Sequence, residues 1–195
     1  ILAVVCDGMG GARAGNVASR LAVDVLTKEI ISSYDARLDE QKTINMMLEA
    51  VALSNTAVYE HAQLSEEYHG MGTTLVAALI RNGVACVVNV GDSRAYHLSK
   101  EGIQMITEDH SVVEMMVQRG EITREEAKHP PVKNLITRAI GTEPVVLIDS
   151  FTQSVKPGES ILLCSDGLSN MMADQEILFE VEHGNDRSNC CSRLL

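Results

Sequence analysis

The chain has 195 residues, enough for one substantial core, and its hydrophobic and charged shares of 45% and 22% are ordinary for a globular protein. A net charge of −11 and an aromatic share of 3% argue against nucleic acid and anionic membrane surfaces as partners. The same field repels phosphate, so any phosphate chemistry on this chain needs bound cations. The five cysteines show neither zinc spacing nor a disulfide framework, which points to buried thiols in a reducing cytoplasm. No apolar stretch is long enough to span a membrane, and none reads as a signal peptide.

In chain order, residues 1–6 (ILAVVC) predict a buried strand that runs into the glycine-rich loop DGMGGARAG. From Asn16 to about Tyr34 the pattern is helical, with Val17, Leu21, Val25, Ala18 and Ala22 sharing a face. A polar break from Asp35 to Lys42 precedes a second helix, whose stripe is Ile44, Met47, Leu48, Val51, Asn55, Val58 and Ala62. Two helices so closely linked are expected to pack together, and the stripe is assigned to packing. After Gly70 the period turns to strands. TTLVAALI and VACVVNV flank Arg81-Asn82-Gly83, a strong hairpin signal. RAYHLS and IQMIT follow across links too short for a helix, so an antiparallel meander is expected. Asp109 to Gly141 is polar and helix-like in pieces, broken at Pro130-Pro131. Strands resume at VVLIDSF and ESILLC, and helix returns from about Asp174. The fold class is α+β, with antiparallel sheet in two packed layers and helices outside.

Three aspartates stand where an apolar strand-like run breaks into a small-residue turn: Asp7 before Gly8, Asp92 before Ser93, and Asp166 before Gly167. Each alone is a common turn residue. Their repetition suggests carboxylates carried to sheet ends, where hard oxygens without histidine clusters suit Mg²⁺ or Mn²⁺ better than Zn²⁺. A glycine beside the first of them lets a backbone carbonyl approach a metal.

The ordered set VVCDGMGGARAG, GMGTT, VGDSRAY, TEDHS, LITRAIG and LLCSDGL resembles the metal-dependent Ser/Thr protein phosphatases of type 2C in their bacterial form, from the first residue to about Asn170. The resemblance implies two antiparallel sheets sandwiched between helix pairs (α-β-β-α layers) in one catalytic domain, residues 1–195. It implies Asp7 as the carboxylate bridging two metals, the Gly8 carbonyl as a ligand, and Asp166 as carboxylate of the second metal. On the same resemblance Asp7 and Asp166 are expected to be the catalytic pair, and Asp92 and Asp109 to hold a third, weaker ion. Residues 112–131 correspond to a flap beside the site that shapes substrate preference. The chain departs from the family in two ways. Met9 stands where eukaryotic members often carry a histidine. The family's upstream arginine segment and downstream Asp-Asn-x-Thr motif have no counterpart, so both ends are expected to be cut.

The function so implied is hydrolysis of phosphoserine and phosphothreonine in proteins by a metal-activated water, with Mn²⁺ or Mg²⁺ as cofactor. Phosphoproteins are the expected partners, together with a bacterial Ser/Thr kinase that the enzyme opposes in the cytoplasm. The alternative is a catalytically silent module that keeps the fold and binds a regulator. A sporulation or stress-response switch phosphatase ranks below both. No general acid is assigned. His110 is as well explained by capping a strand-to-helix turn, His129 by a loop, and Arg13 by solvation.

Overall fold

The computed structural model describes residues 1–128, 135–183 and 190–194. It is an α-β-β-α sandwich. The expected strand at the start is β1 (Leu2–Val5), and Gly8–Met9 forms a short β2 paired with β3 (Gly72–Thr73). Helix α1 (Ala12–Ser33) begins four residues before the expected Asn16, absorbing the end of the glycine loop into its first turn. Its buried stripe is Ala14, Ala18, Ala22, Leu26 and Ile30, at a spacing of one helical turn. Val17 and Leu21 flank it, half-buried.

Helix α2 (Glu40–Ala62) starts where Asp39 accepts the Lys42 N–H at 2.8 Å, an N-cap that ends the polar break. Its predicted stripe is buried except for Leu48, which is half-buried. Asn55 is the polar member, and both ends of its amide are engaged. Its Oδ1 accepts from the Gly141 N–H, and its Nδ2 donates to the carbonyls of Glu143 and Pro144. The two helices pack on each other and on one face of the first sheet through an aliphatic core.

That sheet joins β1 to β4 (Leu75–Arg81), β5 (Val84–Val90) and β8 (Asp149–Ser154) in the order β1-β4-β5-β8, all antiparallel. Strands β4 and β5 are joined by Asn82-Gly83, with φ of 49° and 77°, the left-handed pair that a two-residue hairpin requires. The second sheet has the order β7-β6-β9, from β6 (Arg94–Ser99), β7 (Gly102–Met105) and β9 (Ser160–Cys164). The expected continuous meander is therefore interrupted. Gly91-Asp92-Ser93 carries the chain from one sheet to the other instead of folding β6 back beside β5. Between the sheets lie Val76, Ala78, Ala85, Val87 and Ala95, small enough for close approach, with Phe151, Ile161 and Leu163 at the margin.

Strand β8 (Asp149–Ser154) begins four residues after the start of the run VVLIDSF and continues three residues past its end. The outer face of the second sheet packs on α4 (Asp166–Ser169) and α5 (Asp174–His183) through Tyr96, Leu98, Cys164, Leu168, Leu178 and Val181. A last helix, α6 (Cys190–Leu194), lies against α5. In the region expected to be a flap, α3 (Val112–Gln118) is capped by the Ser111 hydroxyl. Pro130-Pro131 and His129, singled out in the sequence, lie outside the described residues. Among the described residues no helix is long and apolar enough to cross a membrane.

Candidate metal centre

Asp7 leaves β1 into a backbone clamp. Its N–H donates to the Thr74 hydroxyl at 2.9 Å, and its carbonyl accepts from the Thr74 N–H and the Thr73 hydroxyl, both at 2.9 Å. The next residue, Gly8, lies so close to the start of α1 that a Cβ there would stand 2.0 Å from the Gly15 carbonyl oxygen. The converse also holds, since a Cβ on Gly15 would stand 2.6 Å from the Gly8 carbonyl oxygen. Two glycines are needed for this backbone-on-backbone contact, and it fixes the direction in which Asp7 leaves the strand.

Asp166 opens α4 at the end of β9, where Asn170 Nδ2 donates to its Oδ2 at 3.1 Å. Asp7 and Asp166 meet. Burial raises the Asp7 carboxyl above its ordinary value, and the charge and hydrogen-bonding reach of Asp166 raise it further against a weaker opposing bond from Ser165. A carboxylate pair so close is a place where a proton or a cation must sit.

Asp92, on the turn between the sheets, is 9% exposed. Its carboxyl is pushed up to about 6, first by burial and then by the charges of Asp166 and Asp109, with Arg94 opposing. Of the three strand-tip aspartates of the sequence, Asp166 thus acts on both Asp7 and Asp92 and is their common neighbour. Asp109 belongs to the group but is already partnered. Arg94 Nε lies 2.9 Å from its Oδ1 and Arg94 Nη2 lies 2.6 Å from its Oδ2.

The turn bearing Asp92 is held from several sides. His110 Nδ1 accepts the Gly91 N–H at 3.0 Å, which places the imidazole proton on Nε2, 3.1 Å from Asp149 Oδ2. Arg138 Nη1 donates to the other Asp149 oxygen at 2.9 Å. Burial raises the Asp149 carboxyl, but the hydrogen bonds from His110 and Arg138 more than reverse it and hold the group below its usual range. Asn89 Nδ2 reaches the carbonyls of Gly91 and Glu108, so one buried amide ties the Asp92 turn to the Asp109 segment. His110 is thus a fastening for a turn. Arg13 lies exposed in the first turn of α1, 2.5 Å from Glu67. Thr73, Thr74, Ser93, Asn89 and Asn170 carry no assignment from the sequence, although GMGTT and VGDSRAY contain three of them.

Among the described residues no three Asp, Glu, His or Cys side chains close around one point as a ready cage. The donor set still fits a hard cation. Mg²⁺ and Mn²⁺ are commonly held by one or two carboxylates and keep several waters, and a paired Asp7–Asp166 with a glycine carbonyl beside it offers that. It does not fit thiolate chemistry. Burial pushes the nearby Cys6 thiol up to about 12, and chiefly burial pushes Cys164 up to about 11, so neither is a thiolate nucleophile at neutral pH.

Comparison with known proteins identifies the family. The profile of the protein phosphatase 2C family matches residues 1–192. The serine/threonine phosphatase stp of Listeria innocua is 38% identical over 182 residues, covering 90% of this chain and 69% of that protein. The structure of Stp1 from Staphylococcus aureus superposes with a TM-score of 0.90 at 36% identity, covering 99% of this chain and 75% of that one. The catalytic domain of PstP, solved with two manganese ions, gives a TM-score of 0.82 at 32% identity, covering 99% of this chain and 78% of that one. With its sandwich, its acidic cluster and these likenesses, the chain belongs to the protein phosphatase 2C family of metal-dependent enzymes and is a protein Ser/Thr phosphatase.

Proposed function

We propose that Asp7, the Gly8 carbonyl and Asp166 hold a pair of Mn²⁺ or Mg²⁺ ions, and that Asp92 and Asp109 contribute a weaker third position. The observation that carries the proposal is the approach of Asp166 to Asp7, which destabilises the Asp7 charge unless a cation lies between them. Bound there, such ions would neutralise phosphoryl oxygens and supply an acidified water for in-line attack. The protein's own work is placement. Thr73 and Thr74 grip the Asp7 peptide, Asn170 orients the Asp166 carboxylate, and the Gly8–Gly15 contact fixes the loop between β1 and α1. The acidic surface repels phosphomonoesters elsewhere, so productive approach is confined to the site where charge is compensated.

The substrate class is phosphoserine and phosphothreonine in proteins, and the residues at 112–131 act as a flap that selects among them. The setting is the cytoplasm, opposite a Ser/Thr kinase. Release of phosphate from p-nitrophenyl phosphate and from a phosphothreonine peptide, with Mn²⁺ and then with EDTA, tests the reading. Release should require the metal and disappear in Asp166→Asn. Metal-independent release, or an undiminished variant, would refute it.

A further inference from the structure

Two buried hydroxyls join the turns that carry Asp7 and Asp92. Thr74 Oγ1 and Ser93 Oγ are 2.6 Å apart, and the residues are 4% and 1% exposed. Thr74 Oγ1 also accepts the Asp7 N–H, so an unbroken chain runs from the Asp7 peptide through Thr74 to the residue after Asp92. The rest of Thr74 braces the same turn. Gly91 has φ of +107°, and a Cβ on it would stand 2.7 Å from Thr74 Cγ2, so methyl and hydroxyl of one side chain both meet the Gly91-Asp92-Ser93 segment. Asp7 lies on the link between β1 and β2, whereas Asp92 lies on the crossing to the second sheet. The hydroxyl pair therefore ties the acid-bearing turn that leaves β1 to the one that leaves β5 for the second sheet.

We propose that Thr74 and Ser93 are positioning residues, whose hydroxyl bridge sets the separation of the Asp7 and Asp92 carboxylates and so the affinity of the centre for divalent cations. The inference rests on the metal reading above. Neither hydroxyl touches substrate. Each acts through a carboxylate-bearing turn, as outer-shell hydrogen bonds do in metal sites generally.

The test is titration calorimetry of Mn²⁺ onto the metal-stripped protein and onto Ser93→Ala, Thr74→Val, Thr74→Ser and the Thr74→Val/Ser93→Ala double variant. Thermal melts in EDTA establish that each is folded. Ser93→Ala leaves the Asp7 N–H its acceptor and keeps the proposal testable should Thr74→Val fail to fold. Ser93→Ala and Thr74→Val should each weaken Mn²⁺ binding by about 10-fold. Because the pair acts as one unit, the double variant should be no weaker than Thr74→Val, and Thr74→Ser should approach the wild type. A folded Ser93→Ala with wild-type affinity, losses that add in the double variant, or a Thr74→Ser as weak as Thr74→Val would each overturn the bridge. No Mn²⁺ uptake by the wild type would remove the metal reading itself, an outcome distinct from uptake that the variants leave undisturbed.

Discussion

Arg94 clasps Asp109 through both carboxylate oxygens, at 2.9 and 2.6 Å, while Asp92 faces the charges of Asp109 and Asp166 with only partial compensation. The two residues assigned to one weak metal position thus sit in opposite electrostatic circumstances. Asp109 is paired within the fold, and Asp92 is penalised by it.

Stability in EDTA should separate them. Asp109→Asn leaves a guanidinium that is only a quarter exposed without its carboxylate, and should cost about 1–3 kcal/mol. Asp92→Asn removes repulsion and should leave stability unchanged or higher. Urea midpoints of the metal-free variants measure this. A larger loss in Asp92→Asn than in Asp109→Asn would contradict it.

The pH dependence of the metal-free protein follows from the same groups. Folding raises the Asp92 carboxyl from 3.8 to about 6, so the native state holds more protons than the unfolded chain between those values. Stability from this group is present in full below the lower value and falls as pH rises through the upper one. Asp149 has the opposite sign. Its folded value is depressed, so its contribution is present above the ordinary carboxylate range and is lost as pH drops below it. Urea midpoints in EDTA should fall between about pH 4 and about pH 6, and Asp92→Asn should flatten that fall. A fall of equal size in the variant would assign it elsewhere.

The Gly8–Gly15 contact makes a steric prediction. A methyl group at either position would meet backbone at 2.0 or 2.6 Å, and backbone has nowhere to rotate. Gly8→Ala and Gly15→Ala should each lose about 1–3 kcal/mol and shift the Asp7 loop enough to abolish Mn²⁺ uptake. Gly11→Ala, where nothing lies within 4 Å of a Cβ but φ is +87°, should cost about 1 kcal/mol and retain uptake. Calorimetry on the three variants checks the contrast.

Near α3, Arg124 holds the buried Glu114 at 2.5 and 2.8 Å. Arg124 is itself 64% exposed, so the pair is partly screened and its loss should cost about 1 kcal/mol or less. What changes is the anchoring of the segment assigned as a flap. Arg124→Ala should alter kcat/KM for a phosphothreonine peptide several-fold while p-nitrophenyl phosphate, too small to touch a flap, is hydrolysed as before. Equal effects on both substrates would deny the flap that role.

The sequence announced its elements wherever one local rule decided the outcome. Asn82-Gly83 could only be a left-handed turn, and the Ala18–Ala22 spacing could only be a helix face. It was silent where two folds satisfy the same local chemistry. Gly91-Asp92-Ser93 is as short as a hairpin link, yet it crosses between sheets because β6 finds its partners in β7 and β9. Residues 145–148 form an unbroken apolar run like a buried strand, but the ladder to β5 begins only at Asp149 opposite Asn89. Beyond Asn89 only Val90 remains before the chain turns at Gly91, and Val145 and Leu147 stay exposed. At the site, the acidic side chains stood out because each ended an apolar run. The hydroxyls and amides that place them did not, since Thr74, Ser93 and Asn89 acquire meaning only from residues far along the chain.

A crystal soaked in Mn²⁺ and measured at the manganese absorption edge tests the central claim most directly. The anomalous map should place ions between Asp7 and Asp166, with the Gly8 carbonyl among the ligands. Manganese bound only elsewhere on the surface, with these two carboxylates left bare, would contradict the account.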